Sequence, residues 1–219
     1  MNNFVEIVHI LFATLYYSGI LCSIGKKKTD ILYEEVFMSE INSSVKRALL
    51  DLCQEKGVLN VSVSDLTKRA YINRGTFYLH YENLDTLIRE IEDDLLNNLK
   101  AASMSQPYST GMNKYQWFYA TLNSEVCQVK ANYMWFSTLL GPKGDPSFKS
   151  KVYQYIKSSS FRKFDALCLP LDNNLLDYTI NGSMGLFLCW INKGADLDPS
   201  VLTSLMLQTG QKHLTEQVS

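Results

Sequence analysis

Between residues 43 and 102, apolar residues recur every three or four positions, which is the spacing of one helical face. The first helix of this stretch is predicted to begin at Ser43 or Ser44 and to stop at Gly57. The last is predicted to begin after Asn83 and to end near Ala102. Its acidic residues are expected on a solvated face: Glu90, Glu92, Asp93 and Asp94.

Two shorter helices are predicted between these two, within residues 62–81. Ser62 and Asp65 form a Ser-x-x-Asp opening that resembles a capping box. A turn at Tyr71 and Ile72 follows, and Asn73 is expected to cap the next helix. With Phe77 and Tyr81 facing inward, the opposite surface is expected to carry a mixture of hydrogen-bond donors and one apolar side chain, which suits a reader of the DNA major groove. Those surface residues are Arg74, Thr76, Leu79 and His80.

The second half of the chain has the helical period throughout, without strand signals. The polar run at residues 103–111 interrupts the period and predicts a domain boundary. Residues 113–140 are expected to form one long helix or two shorter ones, and residues 147–169 another. Asp172 is expected to cap a helix over residues 173–193, and Asp198-Pro199 to open a last helix that ends near Leu214. Four or five helices with Gly or Pro at the joints indicate an all-α domain.

The predicted organisation has three parts: an apolar extension over residues 1–37, a DNA-binding domain with its connecting helix over 38–102, and a helical C-terminal domain over 103–219. Residues 4–24 are apolar and long enough to cross a bilayer, although Glu6 and His9 interrupt them. A membrane anchor and an upstream extension, with translation starting at Met38, both fit this stretch. We do not expect a membrane partner.

Charge is distributed unevenly, although the net charge is only −1. Residues 43–81 carry six cations and three anions, whereas residues 82–100 carry two cations and six anions. A basic segment next to an acidic one indicates that only the first segment faces a polyanion.

Catalytic and metal-binding chemistry is not predicted. The five cysteines are widely spaced and never form Cys-x-x-Cys, and the three histidines share no metal-ligand spacing. No nucleophile and base occur at a recognisable spacing. We therefore predict a protein that is not an enzyme, binds no cofactor or metal, and resides in the reducing cytoplasm.

The segment 73–81, Asn-Arg-Gly-Thr-Phe-Tyr-Leu-His-Tyr, is similar to the recognition helix of the TetR/AcrR family of transcriptional regulators. The family's recurrent Thr, apolar or aromatic residue, Tyr and His appear in order as Thr76, Phe77, Tyr78 and His80. The resemblance implies an all-α fold: a three-helix DNA-binding domain, a fourth connecting helix, and a C-terminal domain that binds ligand and dimerises.

The resemblance also implies roles for individual residues. Tyr78 and His80 would contact phosphates, while Ser62 and Ser64 would lie near the DNA backbone. Lys46 on the first helix completes the predicted DNA-binding set, and the residues expected to face base edges are Arg74, Gly75 through its backbone, Thr76 and Leu79.

Two positions depart from the family pattern. Tyr71 stands where the family usually has Gly, so the backbone there either avoids positive φ or accepts strain of about 1 kcal/mol or more. Leu84 stands where a Lys usually opens the fourth helix, and we expect weaker or less salt-sensitive DNA binding from this change.

Residues 181–194 and the following Asp198-Pro199 resemble a C-terminal pattern of one branch of this family. The last two helices would pair with their copies in a second chain, and small residues would allow the helices to approach closely. The expected dimer contacts are Ser183, Met184, Phe187, Leu188, Ile191, Leu202, Leu205 and Met206.

The predicted function is therefore that of a homodimeric transcriptional regulator, a repressor, that binds a palindromic double-stranded DNA operator. A small-molecule effector or a protein partner would be sensed by the C-terminal domain, and a membrane-tethered regulator is a further alternative. An effector pocket would be apolar with few polar groups. Its candidate lining residues are Trp117, Tyr133, Trp135, Phe136 and Trp190.

Overall fold

The computed structural model describes residues 26–109, 111–166 and 173–215. Backbone packing divides the chain into two units, residues 1–47 and 48–219. The described residues contain no strand, which confirms the predicted all-α class. The helices are α1 (Lys26–Lys56), α2 (Val63–Arg69), α3 (Arg74–His80), α4 (Leu84–Met104), α5 (Lys114–Ala131), α6 (Tyr133–Leu140), α7 (Pro146–Ala166), α8 (Asn173–Asn192) and α9 (Pro199–Thr215), with a 3-10 turn at Val58–Asn60.

Helix α1 starts earlier than the sequence pattern predicted. It begins at Lys26 and continues through Ser43 and Ser44, so the predicted start at these serines is wrong. No Gly or Pro occurs between residues 26 and 56, so nothing in the local sequence forces the helix to start at a serine cap. The predicted stop is confirmed: Gly57 has φ 89° and its N–H donates to the Cys53 carbonyl at 2.8 Å.

Helix α4 connects the first three helices to the rest of the fold. The side-chain oxygen of Asn83 accepts from the Thr86 N–H at 2.9 Å, which confirms the predicted cap. The prediction that Glu92 lies on a solvated face is wrong, because this side chain is 1% exposed. Glu92 follows Ile88 by four residues and precedes Leu95 by three, so it lies on the buried stripe that these residues define.

The C-terminal domain consists of α5 to α9. Residues 114–140 form two helices rather than one, separated at Asn132. Helix α5 packs on α4 and α9, while α6, α7 and α8 pack on one another. An aromatic core fills the second group: the Phe136 ring lies 5.9 Å from Phe148 and 6.4 Å from Phe187, centroid to centroid. Phe187 also contacts Trp190.

Four polar side chains are grouped inside this domain, between α5 and α7. Glu125 accepts hydrogen bonds from the Tyr155 hydroxyl at 2.8 Å and the Ser159 hydroxyl at 3.0 Å. The Lys163 ammonium contacts the other Glu125 oxygen at 2.7 Å. Because Glu125, Ser159 and Lys163 are all buried, the two helices are joined by an ion pair that is shielded from water.

Three sequence predictions fall on residues outside the described ranges. They are the apolar stretch at residues 4–24, the predicted helix end at residue 169 and the cap at Asp172. Of the described helices, none combines the length and apolarity needed to span a membrane. Within the same residues, no group of three or more His, Cys, Asp or Glu side chains is placed to hold a metal ion.

Candidate nucleic-acid interface

Helix α2 begins with the predicted capping box. The Ser62 hydroxyl oxygen accepts from the Asp65 N–H at 3.1 Å, and the Asp65 carboxylate accepts from the Ser62 N–H at 3.3 Å. The Ser62 hydroxyl also donates to that carboxylate at 2.8 Å. This bond, followed by the contact with Lys56, lowers the pKa of Asp65. The start of the helix is thereby determined by residues within three positions of each other.

Helix α3 is positioned by its own cap and by two buried aromatic rings. The Asn73 side-chain oxygen accepts from the Thr76 N–H at 2.7 Å, as predicted. A Cβ at Gly75 would lie 3.1 Å from that oxygen, so glycine leaves room for the cap. Phe77 and Tyr81 are buried, which confirms that they face inward.

The outer surface of α3 is open to solvent. Arg74 and Gly75 are exposed, and Leu79 is 84% exposed, while Tyr78 is 56% exposed. Thr76 and His80 are half-buried. Because Leu79 is so highly exposed on a helix of only seven residues, it does not contribute to packing within the described chain. Contact of these side chains with DNA remains a prediction.

Part of the positive charge near α2 is neutralised within the protein. Arg69 forms a bidentate pair with Glu55, with N···O distances of 2.8 and 2.9 Å. The Arg69 hydrogen bonds lower the pKa of Glu55, and Glu55 raises the pKa of Arg69. Lys56 pairs with Asp65 at 3.1 Å. The segment therefore offers DNA less free charge than its composition indicates.

Tyr71 adopts the left-handed backbone conformation in the turn. Its φ is 56°, and its side chain is 82% exposed. The backbone at Tyr71 therefore does not avoid positive φ, and it accepts the strain that was the other expectation for this position. The turn keeps the conformation that glycine favours, without the glycine.

The remaining predicted DNA-binding residues lie on neighbouring elements. Ser64 is half-buried in the first turn of α2. Leu84, which stands where the family usually has a DNA-contacting Lys, is half-buried at the start of α4. Lys46 is half-buried on α1, within the first of the two packing units.

The five candidate effector residues fall into different surroundings. Trp117 is buried beside Tyr108, with ring centroids 5.3 Å apart, and its indole N–H donates to the Gln106 carbonyl at 2.6 Å. Phe136 and Trp190 belong instead to the α6–α8 aromatic core.

The other two are half-buried, and both lie on α6. The Tyr133 hydroxyl donates to the Ile191 carbonyl at 3.4 Å, while Trp135 is its near neighbour in the helix. An effector pocket that these residues share stays a prediction.

Most of the predicted dimer contacts are buried within one chain. Ser183 and Leu188 are half-buried, and Leu205 is 38% exposed. The five buried residues are Met184, Phe187, Ile191, Leu202 and Met206. The exposed side of α8 carries different residues, at helical spacing: Tyr178, Gly182, Gly185 and Cys189.

Sequence reasoning did not identify the buried charges at Glu92, Glu125 and Lys163. A signal existed for Glu125, because it follows the apolar Leu122 by three residues and precedes the apolar Val129 by four. No comparable pattern in the sequence indicated that Lys163, on a distant helix, would pair with Glu125.

Comparison with known proteins agrees with this geometry. Residues 47–91 match the model described as bacterial regulatory proteins, tetR family, and residues 119–212 match a transcriptional regulator C-terminal region. The chain is 23% identical over 172 residues to the uncharacterized HTH-type transcriptional regulator YxbF of Bacillus subtilis. That alignment covers 74% of this chain and 42% of YxbF, so the chain spans less than half of that relative's length.

Solved structures share the fold. A TetR transcriptional regulator from Streptococcus agalactiae superposes with a TM-score of 0.59 at 18% identity, covering 81% of this chain and 97% of that one. The dihydroxyacetone kinase operon activator DhaS superposes with a TM-score of 0.57 at 15% identity and the same coverage.

The two matched regions correspond to the helix-turn-helix and to the helical C-terminal domain. They confirm the prediction of a DNA-binding transcriptional regulator that is not an enzyme. The recognition motif, the fold and both matches lead to one conclusion: the chain belongs to the TetR family of transcriptional regulators.

Proposed function

We propose that this protein is a homodimeric repressor that binds a palindromic operator through paired copies of α3. Residues 38–102 would bind DNA, and residues 103–219 would dimerise and sense an effector or a protein partner. The supporting observation is the exposed surface of α3, where Arg74 and an 84%-exposed Leu79 stand on a helix fixed by its own cap. Such a surface suits base edges and thymine methyl groups.

The exposed face of α8 supports a particular mode of dimerisation. Tyr178, Gly182, Gly185 and Cys189 are spaced by four, three and four residues, so they share one face. A Cβ at Gly182 or Gly185 would meet no atom within 4 Å, and two copies of α8 could approach closely there. On α9, which packs against α8, Val201 and Leu205 are also exposed. We place the second copy on this surface rather than on the buried residues.

Bulky substitution on α8 tests the dimer. Gly185→Trp should convert the protein from dimer to monomer in analytical ultracentrifugation, because the indole would separate the two helices. Gln154→Trp is the matched control, since Gln154 is exposed on a different helix, α7. A Gly185→Trp protein that remains dimeric would place the interface elsewhere.

In vitro selection from random duplex DNA tests the function as a whole. The full-length protein should enrich an inverted repeat whose half-sites lie about one helical turn, or about 34 Å, apart. Enrichment of a single half-site without a repeat would retain DNA binding but contradict the paired arrangement. Absence of any enriched sequence would contradict the proposed function.

The second candidate function is activation of transcription rather than repression. The structural relative DhaS is named an operon activator, so this fold serves activation as well. A reporter gene placed behind the selected operator distinguishes the two: repression predicts higher expression when the regulator is deleted, and activation predicts lower expression.

A further inference from the structure

One carboxylate of the connecting helix is buried against the C-terminal domain. Glu92 on α4 is 1% exposed, and its Oε2 accepts from the Lys151 ammonium on α7 at 2.9 Å. Its Oε1 is buried and has no hydrogen-bond partner among the described residues. A buried carboxylate with an unsatisfied oxygen is a costly arrangement, so stability alone does not account for it.

The Glu92–Lys151 pair lies where the helix-turn-helix meets the C-terminal domain. Helix α4 begins four residues after α3 ends, and the buried Leu87 anchors its first turns. A rotation of α4 therefore carries α3 with it. A second contact joins the same regions, because the Val58 N–H donates to the Lys143 carbonyl at 3.0 Å, just before α7.

The charged groups around Glu92 come from both sides of the junction. Lys151 and Asp145 face it from α7 and the preceding turn, and Asp93 and Arg89 lie on its own helix. Burial raises the pKa of Glu92, and the contact with Lys151 opposes that effect. The pKa of Glu92 is therefore higher in the folded state than in the unfolded state. Burial of the ionised carboxylate lowers the stability of the fold at high pH, and this cost is lost as pH falls through the folded-state pKa.

We propose that Glu92 is a positioning residue for DNA binding. Its ionised carboxylate, held by Lys151, fixes the angle between α4 and α7, and protonation releases that hold. DNA affinity then depends on the ionisation of a group that never touches DNA. This inference rests on the proposed function, since it requires a DNA duplex that the protein recognises.

The test compares the pH profile of DNA affinity in wild type and in Glu92→Gln, with the duplex selected by wild type as the probe. Gln has the shape of protonated Glu and cannot ionise. The two profiles should coincide at the acidic end and separate as pH rises. At the alkaline end wild type should bind more tightly by about fivefold or more, the lower end of usual allosteric couplings. Titration of groups that the two proteins share cancels in the ratio.

Two further variants distinguish positioning from a general charge effect. Asp93→Asn removes a carboxylate 3.7 Å from the same ammonium, but that side chain is 66% exposed, so its profile should match wild type. Lys151→Gln removes the cation that opposes the pKa increase. Ionisation of Glu92 then no longer fixes the angle between α4 and α7, so the profile of this variant should stay close to that of Glu92→Gln at the alkaline end.

The outcomes are separable. Profiles of wild type and Glu92→Gln with the same shape, on a duplex that wild type selects, would overturn this inference and leave the proposed function intact. A deviation of Asp93→Asn equal to that of Glu92→Gln would also overturn it. Failure of wild type to select any duplex would overturn both.

Discussion

The helix-turn-helix and the C-terminal domain are held together over different distances along the chain. In α2 and α3, the decisive hydrogen bonds join residues three positions apart, from Ser62 to Asp65 and from Asn73 to Thr76. In the C-terminal domain, the Glu125–Lys163 pair spans 38 positions. The Lys130 ammonium reaches the Ala195 carbonyl, 65 positions away, at 2.6 Å.

This difference explains why the two regions expose different chemistry. Local caps fix the backbone of α3 without using its outer side chains, which stay available for a partner. The C-terminal domain also has such a cap, since the Asn113 side-chain oxygen accepts from the Gln116 N–H at 3.0 Å, but a cap does not set how helices lie against one another. These helices are joined by their aromatic core and by buried charges, whose pairing is specific because an unpaired charge in the interior is strongly disfavoured.

The largest expected effect comes from breaking the long-range pair. Lys163→Met should lower the free energy of unfolding by about 3–5 kcal/mol, because it leaves the Glu125 carboxylate buried without its cation. Denaturant unfolding followed by circular dichroism measures this. Lys157→Met is the control, since Lys157 pairs with Asp177 at 2.9 Å at the surface and should change little. Equal effects of the two variants would contradict the contrast between buried and exposed pairs.

The next effect concerns the exposed surface of α3. Arg74→Ala should reduce affinity for the selected operator by about 1–3 kcal/mol and relax sequence preference, as expected for loss of a base contact. Tyr78→Phe should instead weaken binding to all sequences alike, because a phosphate contact carries no sequence information. Binding assays on operator and scrambled duplexes measure both. Unchanged operator binding by the Arg74 variant would exclude its role as a base reader.

A smaller effect is expected from the local cap. Ser62→Ala should cost about 1 kcal/mol of unfolding free energy, because the Asp65 N–H loses its acceptor. Ser64→Ala, two residues further along the same helix, is the matched control for loss of a hydroxyl. Thermal and denaturant unfolding distinguish them. If Ser64→Ala proved the more destabilising, the capping box would not be what starts α2.

The smallest expected effect is the relief of backbone strain. Among the described residues, each of the two regions has one non-glycine residue with positive φ, so their strain can be compared directly. Tyr71 and Ala195 both have positive φ, 56° and 51°, but Tyr71 is exposed and Ala195 is buried. Tyr71→Gly should raise the free energy of unfolding by about 0.5 kcal/mol, the relief of strain less the greater chain entropy of glycine. Ala195→Gly should gain less, because it also removes a buried methyl group. A loss of stability in Tyr71→Gly would mean that the exposed ring makes contacts worth more than the strain.

What could be predicted from the sequence also divides into short-range and long-range contacts. The caps at Ser62, Asn73 and Asn83 were predictable, because donor and acceptor lie within one helical turn. The start of α1 was not, because the serines at 43 and 44 resemble a cap but nothing obliges the helix to begin there. Which face of α8 is buried was not predictable either, since a helix with apolar residues on several sides has no single inward face.

The sequence by itself determined that this chain is helical, that residues 62–81 form a helix-turn-helix, and that Arg74 and Leu79 occupy its outward side. Each of these follows from the helical period and from hydrogen bonds a few residues long. Only the tertiary structure decided that Glu92 and Glu125 are buried and that lysines on α7 face them. The period of a helix shows which residues share a face, but the neighbour that covers that face is set by packing between distant segments.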